Sequence, residues 1–168
     1  MIKRKGVKRR NMTAMEVELA VAKFLDWRRN LIVPNVSWGL GVHECDLLSV
    51  TPARWATEVE IKVSKSDIKK DLEKTHQHKS DLIQKLYFAV PDYLSDCEYI
   101  PDGVGIISVK NNASLYFYNK AAIIRTPTVN KAARKLSEAE YDKLLRLGCL
   151  RIWNLKKALH KNKMNLKR

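Results

Sequence analysis

Cysteine is scarce in this chain: Cys45, Cys97 and Cys149 lie far apart and form no CxxC pair. That argues against a disulfide framework or a thiolate zinc site and fits a reducing cytosol. No apolar run is long enough to span a membrane, and the basic N-terminal stretch lacks the apolar core of a signal peptide. A glycine-rich phosphate loop is missing, which excludes P-loop nucleotide hydrolysis. So are a GxSxG elbow and a catalytic-cysteine signature. No internal repeat or low-complexity segment interrupts the chain.

Acids are missing from both ends. Residues 1–10 hold Lys3, Arg4, Lys5, Lys8, Arg9 and Arg10; residues 156–168 hold Lys156, Lys157, Lys161, Lys163, Lys167 and Arg168. The net charge of +14 therefore sits in the ends, and the remainder is close to neutral. Such ends are either solvated tails or arms that grip a phosphate backbone by counterion release, which supplies affinity without sequence preference. With 168 residues, 45% of them hydrophobic, the chain is expected to fold as one domain over 13–155, between a basic arm (1–12) and a basic tail (156–168).

What is present centres on Ala56 to Val63. Thr57, Val59, Ile61 and Val63 alternate with Ala56, Glu58, Glu60 and Lys62, so a strand here has one apolar face and one charged face. A second strand, Glu44 to Val50, precedes it. If Pro52-Ala53-Arg54 is a three-residue turn, Thr51 faces Trp55, Asp46 faces Glu60 and Glu44 faces Lys62. An even-length turn breaks that arrangement. The turn needs a left-handed third residue, and arginine is a poor one.

Upstream, Thr13-Ala14-Met15-Glu16 is a capping box opening a helix striped by Val17, Ala20, Val21 and Phe24. Glu18 lies at the stripe's edge, either an ordinary helix acid or a carboxylate leaning toward a cleft. Leu31 to Trp38 forms a first strand, with Pro34 placing it at an edge or bulge. Ser64 to Asp67 starts another helix with Ile68 and Leu72 inward. Leu86 to Val90 is a buried strand. Val104–Val109 and Ser114–Tyr118 form a hairpin. Ser137 to Glu140 opens a helix that stops at Gly148, and a last helix over 150–160 packs Ile152, Leu155 and Leu159, with an irregular tail after it.

Two carboxylates from neighbouring strands suit a hard divalent cation, and an adjacent lysine orients water or offsets phosphate charge. Asp46 followed by Glu60-Ile61-Lys62 resembles the PD-(D/E)xK nuclease superfamily, with Cys45 where its eponymous proline would stand. Leu86 to Pro91 and Val104 to Ile107 resemble the MmcB-like, DNA-repair-associated branch. The resemblance covers about two-thirds of the chain. It implies a restriction-endonuclease-like α/β fold, a mixed central sheet flanked by helices with further helices at the C-terminus. It also implies Mg²⁺ or Mn²⁺ held by Asp46, Glu60 and the Ile61 carbonyl, Lys62 assisting the attack of water on the phosphate, and Glu18 in support. The substrate is then DNA, in a bacterial or phage-infected cell, and a homodimer is allowed.

Lys65, Lys69 and Lys70, after the site, are either phosphate contacts or a solvated helix face. Glu44 and Glu58 share the polar faces and are either extra ligands or, as the preferred reading, flanking surface acids. His76 and His78 with Cys45 make too few ligands for zinc, and Trp38 is either a base-stacking or a half-buried aromatic. Two rivals stand beside the nuclease: a non-catalytic nucleic-acid-binding module on the same scaffold, and an interaction protein whose Glu58, Glu60 and Lys62 decorate a solvated edge strand. For the nuclease, alanine at Asp46, Glu60 or Lys62 is expected to lose cleavage and keep the fold.

Overall fold

Thr13 opens α1 (Ala14–Phe24) with both halves of the capping box. The Thr13 hydroxyl accepts from Glu16 N, and the Glu16 carboxylate accepts from Thr13 N at 2.8 Å. The computed structural model describes residues 11–37, 40, 44–72, 80–111 and 120–165. Val17, Ala20 and Val21 are buried as expected; Phe24, on the last turn, is instead exposed.

The chain continues through β1 (Leu31–Val36), β2 (Cys45–Val50), β3 (Ala56–Ile61), α2 (Lys65–Asp71), β4 (Ile83–Pro91), a 3-10 turn (Asp92–Leu94), β5 (Gly105–Lys110), β6 (Lys120–Arg125) and α3 (Glu138–Asn165). The six strands form one sheet in sequential order. β1, β2 and β3 are antiparallel, β3, β4 and β5 parallel, and β6 antiparallel to β5. This is the mixed α/β sheet that the sequence led us to expect. Pro34 sits on edge strand β1, where its missing N–H costs no ladder bond. The strand expected at Ser114–Tyr118 lies outside the described residues, and β5 pairs with β6.

Two layers cover the sheet. Val17, Ala20 and Val21 of α1 pack on Leu47, Val59, Ile61, Tyr87, Ala89, Ile107 and Val109. Leu144 and Leu147 of α3 pack on Val33, Leu48 and Val50, and Ile68 of α2 packs with Phe88, Val90 and Ile106. Leu72, expected inward beside Ile68, is 50% exposed because it falls just past the helix end.

The β2–β3 turn has the predicted length. Thr51 N donates to Trp55 O at 3.0 Å, and Leu47↔Val59 through Val50↔Ala56 follow in register. Arg54 takes the left-handed conformation (φ +66°), at a cost of about 1–2 kcal/mol for a residue with a Cβ. Its carbonyl accepts from Leu136 N at 3.0 Å, and its guanidinium lies 5.7 Å from the Tyr141 ring centroid. These tertiary contacts offset the cost.

α3 departs most from expectation. Its capping bonds form as predicted, with Ser137 N donating to Glu140 at 2.8 Å. Yet the helix passes through Gly148 without stopping and reaches Asn165. A glycine ends a helix when it turns left-handed, and among the described glycines only Gly103 has positive φ. The tail expected from residue 156 therefore begins inside α3, and one C-terminal helix replaces the two foreseen. A helix of 28 residues is about 42 Å long, whereas a six-residue edge strand such as β1 is about 20 Å. The helix overshoots the sheet, so Ile152, Leu155 and Leu159, expected to pack, are exposed.

The start of α3 is clamped by Arg134, whose guanidinium holds Glu140 at 2.8 and 2.9 Å and Asp81 at 2.9 Å. The Arg134 hydrogen bonds, with burial opposing and Ser137 assisting, lower the Glu140 carboxyl to about 2. A folded-state value below the unfolded one stabilises the fold above the unfolded pKa, about 4.3 for a glutamate. That stability is lost as pH falls through the folded value of about 2. Glu140→Gln is expected to flatten the acid limb of a melting-temperature-versus-pH curve in this window. An unchanged limb would show that the clamp contributes nothing.

Candidate functional site

β3 ends where α2 begins, and this junction gathers the charged residues. Lys62 N continues the pairing with β4 by donating to Ala89 O at 3.0 Å. Ser64 then caps α2, its hydroxyl accepting from Asp67 N at 3.1 Å. A cavity of about 370 Å³ opens there, lined by Glu44, Asp46, Glu60, Ile61, Lys62, Asp67, Lys70 and Asp71. It lies at the carboxyl end of β3, on the side of the parallel pair where open α/β sheets bind ligands.

β3 is an interior strand, and its charged face is covered. Glu58 and Glu60 are each 3% exposed and Lys62 is 5% exposed. Glu58 is therefore no surface acid, and the solvated-edge reading is overturned: β2 and β4 flank the strand.

Lys62 Nζ lies 2.8 Å from Glu60 Oε2 and 2.8 Å from Asp71 Oδ1, and 5.5 Å from the Phe88 ring centroid. Burial works against its charge, but Glu60 and Asp71 outweigh burial and hold the ammonium above the ordinary lysine value. Asp46 behaves differently from a ladder residue. The β2–β3 pairing stops at Leu47↔Val59, and Asp46 Oδ2 accepts from Ile61 N at 2.7 Å. That bond fixes the carboxylate at the end of β3, beside Glu60. The Cys45 thiol is pushed up by burial and then by Glu58, Glu60 and Asp46, which makes it a poor ligand or nucleophile.

Glu18 on α1 is half-buried. Burial, then the charge of Asp46, raises its carboxyl above the usual range, so its field reaches the cavity from the other layer. Lys65 and Lys69 are exposed on α2, Lys69 against Tyr99 at 5.8 Å, while Lys70 lines the cavity. Lys156 and Lys157 are exposed on α3 rather than in a tail. Lys3, Arg4, Lys5, Lys8, Arg9 and Arg10, and also Trp38, His76 and His78, lie outside the described residues.

The sequence reading missed Asp71 and Asp67. Asp71 is 6% exposed. Its position three residues after buried Ile68 puts it on the same helix face, which is the signal that was available. Asp67 Oδ2 accepts from Val63 N at 3.4 Å and so ties β3 to α2.

Among the described residues, no three His, Cys, Asp or Glu side chains are placed together to hold a metal ion. The donors at hand are carboxylates with a neighbouring backbone carbonyl around an open cavity. That set suits Mg²⁺ or Mn²⁺, which keep waters and take only one or two protein carboxylates, and does not suit structural zinc. Among the described residues, no helix is long and apolar enough to cross a membrane.

A mixed α/β sheet with buried carboxylates and a buried lysine at a parallel-strand end defines an α/β protein with a charged cavity at the end of β3. The chain belongs to the MmcB-like family of DNA repair proteins, whose sequence model matches residues 3–158. Its fold is also that of a protein of unknown function from Silicibacter pomeroyi, with a TM-score of 0.61 and 18% identity over 94% of this chain and 96% of that one. No curated protein matches the chain. Family membership places the protein in DNA-related work.

Proposed function

We propose that this protein is a Mg²⁺- or Mn²⁺-dependent nuclease of the PD-(D/E)xK type that hydrolyses DNA phosphodiester bonds. One observation carries the reading: Asp46, Glu60 and Lys62, spread over two strands, line one cavity at the end of the sheet. Asp46 and Glu60, with the Ile61 carbonyl, would hold the cation. When bound, it would polarise the phosphate and acidify a water.

The chain's own residues do the rest. Lys62 has three ammonium donors, two of them directed at Glu60 and Asp71, which leaves one for a water or a phosphate oxygen. Lys70 at the rim and Lys65 and Lys69 on the same helix attract the backbone. The basic residues at 1–10 and on α3 add affinity without base readout. Glu18 adds negative charge near Asp46 from behind.

One observation favours the non-catalytic binding module: Lys62 is clamped by two carboxylates, as in a scaffold retained for its stability. The experiment separates the two. Purified protein is incubated with single- and double-stranded DNA, with Mg²⁺, Mn²⁺ or chelator. Cleavage with either metal that stops with chelator is the expected result. DNA binding that survives chelation, with no cleavage under either metal, would replace the nuclease by the binding module.

A further inference from the structure

The second half of α3 contributes nothing to the cavity lining, and the proposed function draws on its basic residues alone, leaving its apolar ones unused. From Ile152 onward, every described residue of the helix is exposed. Ile152, Leu155 and Leu159 are 56%, 60% and 52% exposed, and spacings of three and four align them on one side. Leu145, 42% exposed, lies seven residues before Ile152 and extends the row, as in a heptad seam. Aligned aliphatic side chains of this size are what a helix ordinarily buries. The borders carry one sign of charge. The sequence has no acid after Asp142; Lys156 and Lys163 flank one side of the row at helical spacing, while Arg151 on the other side is tied back to β1, donating to Asn35 O.

We propose that this row is a docking surface for an acidic amphipathic helix of another protein. A helix laid along it would bury its own apolar residues against Ile152, Leu155 and Leu159 and set its carboxylates against Lys156 and Lys163. The other occupants fit worse. A second copy would bring the same lysines face to face. Residues 1–10 carry six basic residues and no acid, so they repeat the charge instead of complementing it. DNA matches the charge but leaves the aliphatic row uncovered. A lipid surface asks for one broad apolar face, whereas the exposed apolar residues here are split, with Leu150, Trp153 and Met164 on a different side of the helix from the row. The inference is independent of the cleavage reading.

The test uses the full chain and a fluorescein-labelled three-heptad peptide with Ile and Leu at its core positions and Glu at the flanking ones. A matched peptide carries Lys at the flanks. The acidic peptide is expected to bind, more weakly as salt rises, and the basic peptide not to bind. Ile152→Ser/Leu155→Ser/Leu159→Ser is expected to weaken binding at least about 10-fold, with an unchanged melting temperature because all three residues are exposed. Equal binding of the acidic peptide by the triple variant would mean that charge alone acts and would overturn the proposal. Binding of neither peptide, or of both equally, would do the same. Row-dependent self-association in sedimentation velocity, or row-dependent binding to phosphatidylglycerol vesicles or duplex DNA, would assign the surface to another occupant and likewise sink it.

Discussion

Asp46→Asn and Glu60→Gln are each expected to lower Mg²⁺- or Mn²⁺-supported DNA cleavage by at least about 100-fold while leaving the fold in place. The choice of substitution follows from the geometry. Asp46 Oδ2 accepts from Ile61 N at 2.7 Å, and Glu60 Oε2 accepts from Lys62 Nζ at 2.8 Å. Asparagine and glutamine keep an oxygen for those bonds and remove only the negative charge that a cation needs. Both residues sit at the packed end of the sheet, so alanine would mix lost chemistry with lost packing. Initial rates on supercoiled plasmid, read beside thermal unfolding, separate the two. Parent-like rates in both variants would remove Asp46 and Glu60 from the site.

Lys62→Met is expected to destabilise the protein by about 3–5 kcal/mol, because removing the cation leaves Glu60 and Asp71 buried without their shared ammonium. For a chain of this size the melting temperature should fall by on the order of 10 °C. Lys62→Met/Asp71→Leu should recover part of the loss by removing one of the two carboxylates. A Lys62→Met variant that melts with the parent would show that the pair contributes no net stability. The expectation drawn from the sequence, that alanine at Lys62 silences cleavage and keeps the fold, has to be revised. An exposed lysine permits that separation; one 5% exposed between two acids does not.

Much of the fold was legible in local pattern. The capping boxes at Thr13 and Ser137, the alternation of β3, the apolar run of β4 and the edge position marked by Pro34 each depend on neighbours a few residues away. The β2–β3 register was legible too, since the turn length fixes the parity of every pair after it. Less legible was anything that required knowing how far an element extends relative to its neighbours. Gly148 carries the composition of a stop, yet α3 continues, and the row at Ile152, Leu155 and Leu159 has the period of a packed face with no sheet beneath it.

The feature most changed is the charged face of β3. By itself the sequence determined that Glu58, Glu60 and Lys62 share a side of one strand and that an odd-length turn brings Asp46 to the same end. Alternation and pairing parity are properties of the backbone, and they need no tertiary information. Only the tertiary structure decided that this side is buried, that Asp71 arrives from α2 to hold Lys62, and that Asp46 bonds Ile61 N at the end of the ladder instead of extending it. Those outcomes depend on which helix covers which face, a choice made by packing the whole sheet at once. The same charges on an edge strand would have met water.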